Sequence, residues 1–200
     1  MKVNLTAADL VAFEDEIAHL FSEKHCLFPV HLAGGNERQL IEVFENHVEP
    51  DDWICCTWRS HYHCLLKGVA SEELRQAILD GKGISLSFPK HRIISSAIVG
   101  GIAPIAVGLA MGCYYGQAKR KVVCFLGDMA AETGIVLESM KYAINWKLPV
   151  KWIVEDNGKS GDADTLAVWG GPTELSDPSI IAYKYQLTRP HCGVDKWITF

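Results

Sequence analysis

The chain has 200 residues, 48% of them hydrophobic and 22% charged, which is enough apolar material for one ordinary domain with a full core and excludes a disordered chain. A net charge of -5 leaves no basic footprint and argues against nucleic acid as a main partner. No apolar run is long enough to span a bilayer, since residues 98–115 are broken by glycines and Pro104, and seven cysteines without paired spacing read as the reduced thiols of a cytoplasmic protein. The N-terminus, MKVNLTAADLVAFEDEIAHL, is amphipathic and acidic, unlike a signal peptide.

Residues 6–21 predict a helix. Leu10, Phe13, Ile17, Leu20 and Phe21 recur at helical spacing, and Thr6 can cap it with Asp9 at the capping-box position. No chemistry is expected of it. Residues 28–37, FPVHLAGGNE, predict a glycine-containing loop with His31 just before the glycines, followed by a helix over 38–47. A short strand over 53–57 runs into Trp58-Arg59-Ser60-His61-Tyr62-His63, a polar loop that concentrates groups able to bind anions or shuttle protons. Cys55, Cys56, His61, His63 and Cys64 lack the spacing of a zinc frame. Residues 71–80 predict a helix capped by Ser71 and ended by Gly81, and 81–99 an irregular stretch. Pro104 suits the first turn of a helix to about residue 115. Gly101, Ile105, Gly108 and Gly112 give that helix a flat face for packing on a sheet or on another subunit.

The stretch 127–160 carries the chemistry. Two continuous apolar runs, 121–126 and 150–154, flank an amphipathic helix that begins near Ala130 and ends at the turn Leu148-Pro149. Ile135, Leu137, Met140, Ile144 and Trp146 are its expected core positions. A strand–helix–strand crossover puts both strands in one parallel sheet, and open α/β sheets bind ligands at the carboxyl ends of their strands. Asp128 and Asn157 stand at those ends. Together they offer hard oxygens suited to magnesium or calcium. The helix N-terminus near Ala130 suits a phosphate, so the crevice points to a diphosphate cofactor. Residues 158–165 and 169–178 read as loops, 180–187 as a short helix or strand, and 188–200 as a terminal segment. With no repeat and no boundary, the expectation is a single α/β domain over 1–200, a mostly parallel sheet flanked by helices. No Gly-x-Gly-x-x-Gly follows a strand, which disfavours a nucleotide-binding Rossmann domain.

Gly127-Asp128 followed by Asn157 resembles the thiamin diphosphate fingerprint, Gly-Asp-Gly to Asn-Asn. Trp146-Lys147-Leu148-Pro149-Val150 is similar to a run characteristic of the alpha subunit of the decarboxylating component of 2-oxo-acid dehydrogenases. Trp58-Arg59-Ser60-His61 resembles its Tyr-Arg-x-His segment. His31-Leu32 with Gly35 and Glu37 resembles its His-Leu-x-x-Gly-x-Glu segment, and Ile98-Val99-Gly100 its Gly-Ile-Val-Gly loop. The resemblance runs collinearly over roughly residues 25–165.

The resemblance implies the diphosphate-binding domain of a thiamin diphosphate fold. Magnesium would be held by Asp128, Asn157 and the main-chain carbonyl of Lys159. Arg59, with Trp58 in the family's tyrosine position, would contact the diphosphate, which lies beside Asp128-Met129-Ala130. The Val99 backbone would meet the aminopyrimidine ring, and His31, His61 and His191 would be catalytic. Met129 replaces the fingerprint's last glycine and would crowd the diphosphate unless it turns toward the pyrimidine or a partner. Asp156 replaces the first Asn. The chain reads as a minimal version of the family, without its longer terminal parts. The implied enzyme is an alpha-type subunit acting on a 2-oxo acid by decarboxylation and acyl or aldehyde transfer. A beta-type pyrimidine-binding subunit would supply a glutamate, in an α2β2 assembly, with a lipoyl acyltransferase as a further partner. The alternatives are a split transketolase-like two-carbon transferase acting on sugars and a non-catalytic scaffold that has lost the cofactor.

Overall fold

A computed structural model describes residues 1–26, 28–161, 163–173 and 176–194. Parts of the loops expected over 158–165 and 169–178 (positions 162, 174 and 175) and the end of the terminal segment (195–200) lie outside the described residues. In chain order the elements are α1 (Ala7–Ser22), α2 (Glu37–His47), β1 (Trp53–Cys56), α3 (His61–Leu66), α4 (Ser71–Ala77), β2 (Ser87–Phe88), β3 (Ile93–Ser95), α5 (Ile102–Tyr115), β4 (Val122–Gly127), α6 (Asp128–Ala131), α7 (Gly134–Asn145), β5 (Val150–Asp156), β6 (Lys159–Ser160), β7 (Ala163–Asp164), α8 (Thr165–Trp169) and β8 (Ile180–Lys184). The chain is an α/β protein whose sheet is mostly parallel and flanked by helices. It divides into two compact units, each assembled from separated stretches: residues 1–50, 58–95 and 186 onward in the first, 51–57 and 96–185 in the second.

The first unit is mainly helical. Its leading helix forms as expected, with Thr6 accepting from the Asp9 N–H while Asp9 accepts from the Thr6 N–H at 2.7 Å. Leu10, Phe13 and Ile17 are buried on its inner face, and so is Glu14. The expected polar loop at 58–63 is a correction. His61 onward is the helix α3, all six of whose residues are buried. Ser71 is not a cap; Ala70 holds the extended cap conformation, and Ser71 begins α4. That helix passes into a π-helical turn, Ile78–Lys82, bent by Gly81. The stretch expected to be irregular holds one short antiparallel pair, β2 with β3, where Arg92 takes left-handed dihedrals and reverses the chain.

The second unit is the parallel sheet. Its strands run in the order β1-β4-β5-β8, all parallel, with Gly127 of β4 opposite Glu155 of β5. The strand interiors are apolar and buried: Val122 to Leu126 are fully covered, as are Trp152 and Ile153. The buried residues Ile102, Ala103, Ala106, Val107, Ala110 and Cys113 show which face of α5 turns inward. The glycine face is therefore not the sheet-packing face. A methyl group at Gly108 or Gly112 would meet nothing, and Ile105 is exposed.

The helix expected from Ala130 is in fact two. Thr133 takes extended dihedrals and its hydroxyl bonds back to the Ala130 carbonyl at 2.7 Å, so α6 stops after one turn and α7 starts afresh. The buried face of α7 is Val136, Ser139, Met140 and Ala143, whereas Ile135 and Trp146 are exposed and Leu137 and Ile144 half-buried. This shifts the inner face by about one residue from the expected stripe. Between β5 and β8 the expected polar loop contains a small hairpin, β6 with β7, and the short helix α8. No helix among the described residues is long and apolar enough to cross a membrane.

Candidate functional site

In the second unit, parallel pairing makes β4 and β5 end side by side. Asp128 follows the last residue of β4, and Asn157 the last residue of β5. Asp128 is buried. One carboxylate oxygen, Oδ2, accepts the Thr165 hydroxyl at 2.5 Å, while Oδ1 is buried with no hydrogen-bond partner among the described residues. Burial raises the Asp128 carboxyl above the ordinary carboxylate range. The like charge of Asp156 adds to this, and the Thr165 hydroxyl and the backbone N–H groups of Asp128 and Asn157 partly offset it.

Asn157 is held at both ends of its side chain. Its Nδ2 donates to the Tyr185 hydroxyl and its Oδ1 accepts the Lys159 N–H, both at 2.9 Å. Asp156 holds the same loop by accepting the Gly158 N–H at 3.0 Å. Met129 is half-buried. Its sulfur accepts the Trp169 indole N–H at 2.9 Å, so α8 takes up the side chain that replaces the fingerprint glycine. Ala130 is buried in the same turn. Val99 is exposed next to Gly100, whose φ of 71° and close approach to Thr133 and Ile135 exclude a side chain. A cavity of about 500 Å³ adjoins Asp128. Asp156 and Thr165 line it together with apolar groups of Met140, Val154 and Ile180.

The arrangement fits a hard cation. A buried carboxylate at one strand end keeps one oxygen without a partner among the described residues, and the amide oxygen that follows the neighbouring strand has a second lone pair. Among the described residues no group of three His, Cys, Asp or Glu side chains could hold a metal ion. A cation here would therefore need the Asn157 amide, main-chain carbonyls and oxygens from outside the chain.

In the first unit, the expected histidines converge. His31 stands edge-on to His191 at 5.1 Å between ring centroids and to Trp58 at 6.3 Å. Arg59 Nη2 lies 3.0 Å from His191 Nδ1 and donates to the His191 carbonyl at 2.9 Å. Burial, then the neighbouring Arg59 guanidinium, lower the His31 pKa to about 4, so its imidazole is neutral at neutral pH. Among the described residues, the Trp58 indole N–H and His31 Nδ1 are buried without hydrogen-bond partners.

His61 is almost wholly buried, with its Nδ1 3.1 Å from Oε1 of Glu14. The same Glu14 oxygen accepts the Ala33 N–H at 3.0 Å, tying α1 to the loop after His31. Glu14 is the residue that sequence reasoning missed. Its one signal was a charge inside the apolar stripe of α1, one turn after Leu10 and one before Ile17. Glu37 holds the same loop by accepting the Gly35 N–H and the Tyr62 hydroxyl.

Open α/β sheets bind ligands at the carboxyl ends of their parallel strands, and Asp128 and Asn157 stand at two such neighbouring ends. Residues 6–160 match the family model described as Dehydrogenase E1 component, and the chain belongs to that family. It is 33% identical over 160 residues to the alpha subunit of acetoin:2,6-dichlorophenolindophenol oxidoreductase from Bacillus subtilis, covering 75% of this chain and 48% of that one. It is 30% identical to the pyruvate dehydrogenase E1 component alpha subunit of Porphyra purpurea, covering 72% and 47% respectively. The corresponding acetoin enzyme subunit of Cupriavidus necator is 32% identical over 139 residues, covering 64% and 41%. The chain thus spans about half the length of the curated relatives it matches.

Proposed function

We propose that this chain is the alpha-type subunit of a thiamin diphosphate- and magnesium-dependent enzyme that decarboxylates a 2-oxo acid and passes on the acyl or aldehyde unit. One observation carries the reading: Asp128 and Asn157 stand at the adjacent ends of β4 and β5, and the buried Asp128 Oδ1 is unsatisfied. Asp128, Asn157 and the Lys159 carbonyl would hold magnesium, with diphosphate oxygens and water completing the shell. Met129 and Ala130 lie in the turn beside the diphosphate, and the Val99 backbone is assigned to the pyrimidine ring. When bound, the cofactor supplies an electron sink for the carbanion formed from a 2-oxo acid.

The residues of this chain do the rest. Thr165 orients the Asp128 carboxylate. The α6 turn and α8 close around Met129. In the histidine cluster, Trp58 offers a donor to an anionic group, Arg59 supplies positive charge, and the neutral His31, with His191 beside it, can accept or donate a proton. His61 serves the cluster from within the core, where Glu14 holds its Nδ1.

The glutamate that activates the cofactor is assigned to a separate beta-type, pyrimidine-binding chain, in an α2β2 assembly, with a lipoyl acyltransferase as acceptor. The test is calorimetric titration of the chain plus candidate partner with thiamin diphosphate and magnesium, alongside an assay of 2-oxo acid decarboxylation. Saturable, magnesium-dependent binding with activity only in the mixture is expected. Absence of binding with the partner present overturns the cofactor assignment, and full activity of the chain alone overturns the partner.

A further inference from the structure

The segment from 186 to 193 lies outside residues 6–160, the span matched by the family model, yet within the first unit it returns to the His31 loop. Thr188 donates its N–H to the Gly34 carbonyl at 3.3 Å, and Gly193 donates to Val30 at 2.9 Å. The approach is so close that a Cβ on Gly35 would stand 1.9 Å from the Gln186 carbonyl oxygen, and Gly35 has a φ of 96°, so only glycine fits. Arg189 pairs with Asp15 of α1. The strap delivers His191 to the edge of His31.

Arg59 meets His191 twice through one nitrogen. Nη2 carries two hydrogens; one reaches Nδ1 at 3.0 Å and the other the carbonyl at 2.9 Å. A guanidinium has donors only and stays charged, so Nδ1 must present its lone pair. A neutral imidazole with Nδ1 as acceptor carries its proton on Nε2. A protonated ring would set an N–H against the guanidinium.

We propose that Arg59 is a positioning residue for His191, fixing it as a neutral Nε2–H donor in the histidine cluster. The strap then contributes a site group that the matched family segment does not contain. With His31 also neutral, the cluster offers hydrogen-bond donors to a carboxylate or phosphate oxygen and confines the fixed positive charge to Arg59. The role of that group in turnover rests on the function proposed above; the tautomer itself does not.

The experiment is long-range proton–nitrogen correlation on the full chain labelled with nitrogen-15 histidine, at neutral pH, with His191 assigned by His191→Asn. The wild type is expected to show His191 in the Nε2–H form alone. In Arg59→Met, which keeps an apolar stem but no donor, that preference is lost and both tautomers are populated. A wild-type His191 with its proton on Nδ1, or charged, overturns the proposal, as does an unchanged tautomer in a folded Arg59→Met. If Arg59→Met does not fold, the wild-type spectrum decides. Cofactor titration of the same sample tests the functional reading separately, so either can fail without the other.

Discussion

In the strand-end crevice a buried carboxylate oxygen, Asp128 Oδ1, has no hydrogen-bond partner among the described residues; in the histidine cluster the same holds for a donor, the indole N–H of Trp58, for His31 Nδ1 and for an acceptor, Glu14 Oε2. The crevice is anchored by main chain, since its functional side chains follow directly on paired strands. The cluster is anchored by side chains, with Glu14, Glu37 and Arg59 bridging helices and loops. The fold thus supports the two regions differently. Removing a side chain from the crevice should cost binding; removing one from the cluster should cost stability.

Asp128→Ala breaks the first half of this comparison and has the largest expected effect. Magnesium-dependent binding of thiamin diphosphate should fall below detection by calorimetry, with a far-ultraviolet spectrum and melting curve close to wild type. A variant that binds normally would mean that the cation site is elsewhere.

Glu14→Leu breaks the second half. It strands the Ala33 N–H and the His61 ring in the core, and we expect a loss of about 2–4 kcal/mol in urea unfolding. A loss within experimental error would remove Glu14 as the tie between α1 and the His31 loop.

Thr165→Val sharpens the crevice side. The Asp128 carboxylate loses the hydroxyl that orients it, so magnesium affinity measured in the presence of the cofactor should drop about 10- to 100-fold, and Thr165→Ser should restore most of it. Equal affinities for all three proteins would leave Thr165 without an orienting role.

The smallest effect is in the pH dependence of stability. His31 titrates near 6.5 when unfolded and at about 4 when folded. Between these values the unfolded chain holds more protons, so His31 lowers stability as pH falls through that window. The slope of stability against pH over this range should be shallower in His31→Gln. An identical slope would show that His31 is not the group responsible.

The crevice was legible in the sequence because its parts are local. Apolar runs of strand length with a helix between them determine a parallel βαβ unit, and its register, with Gly127 opposite Glu155, makes the two strands end side by side just before Asp128 and Asn157. The N-terminal helix was legible for the same reason, its capping box spanning three residues. Periodicity was less reliable for orientation: α7 buries Val136 and Ala143 and exposes Trp146, since restarting the helix at Thr133 turned its inner face.

The cluster joins residues 14, 31, 58–61 and 191, and no local pattern encodes a contact across 132 positions. The sequence named its histidines and its arginine but assigned α1 no chemistry and left His191 in a terminal segment. Only the tertiary structure pairs Glu14 with His61, sets Arg59 on His191 and lets Trp169 take up Met129. The physical reason is that backbone periodicity and strand-end chemistry are fixed by neighbours along the chain. The partner of a buried polar side chain is fixed by which distant group packing brings within hydrogen-bond reach.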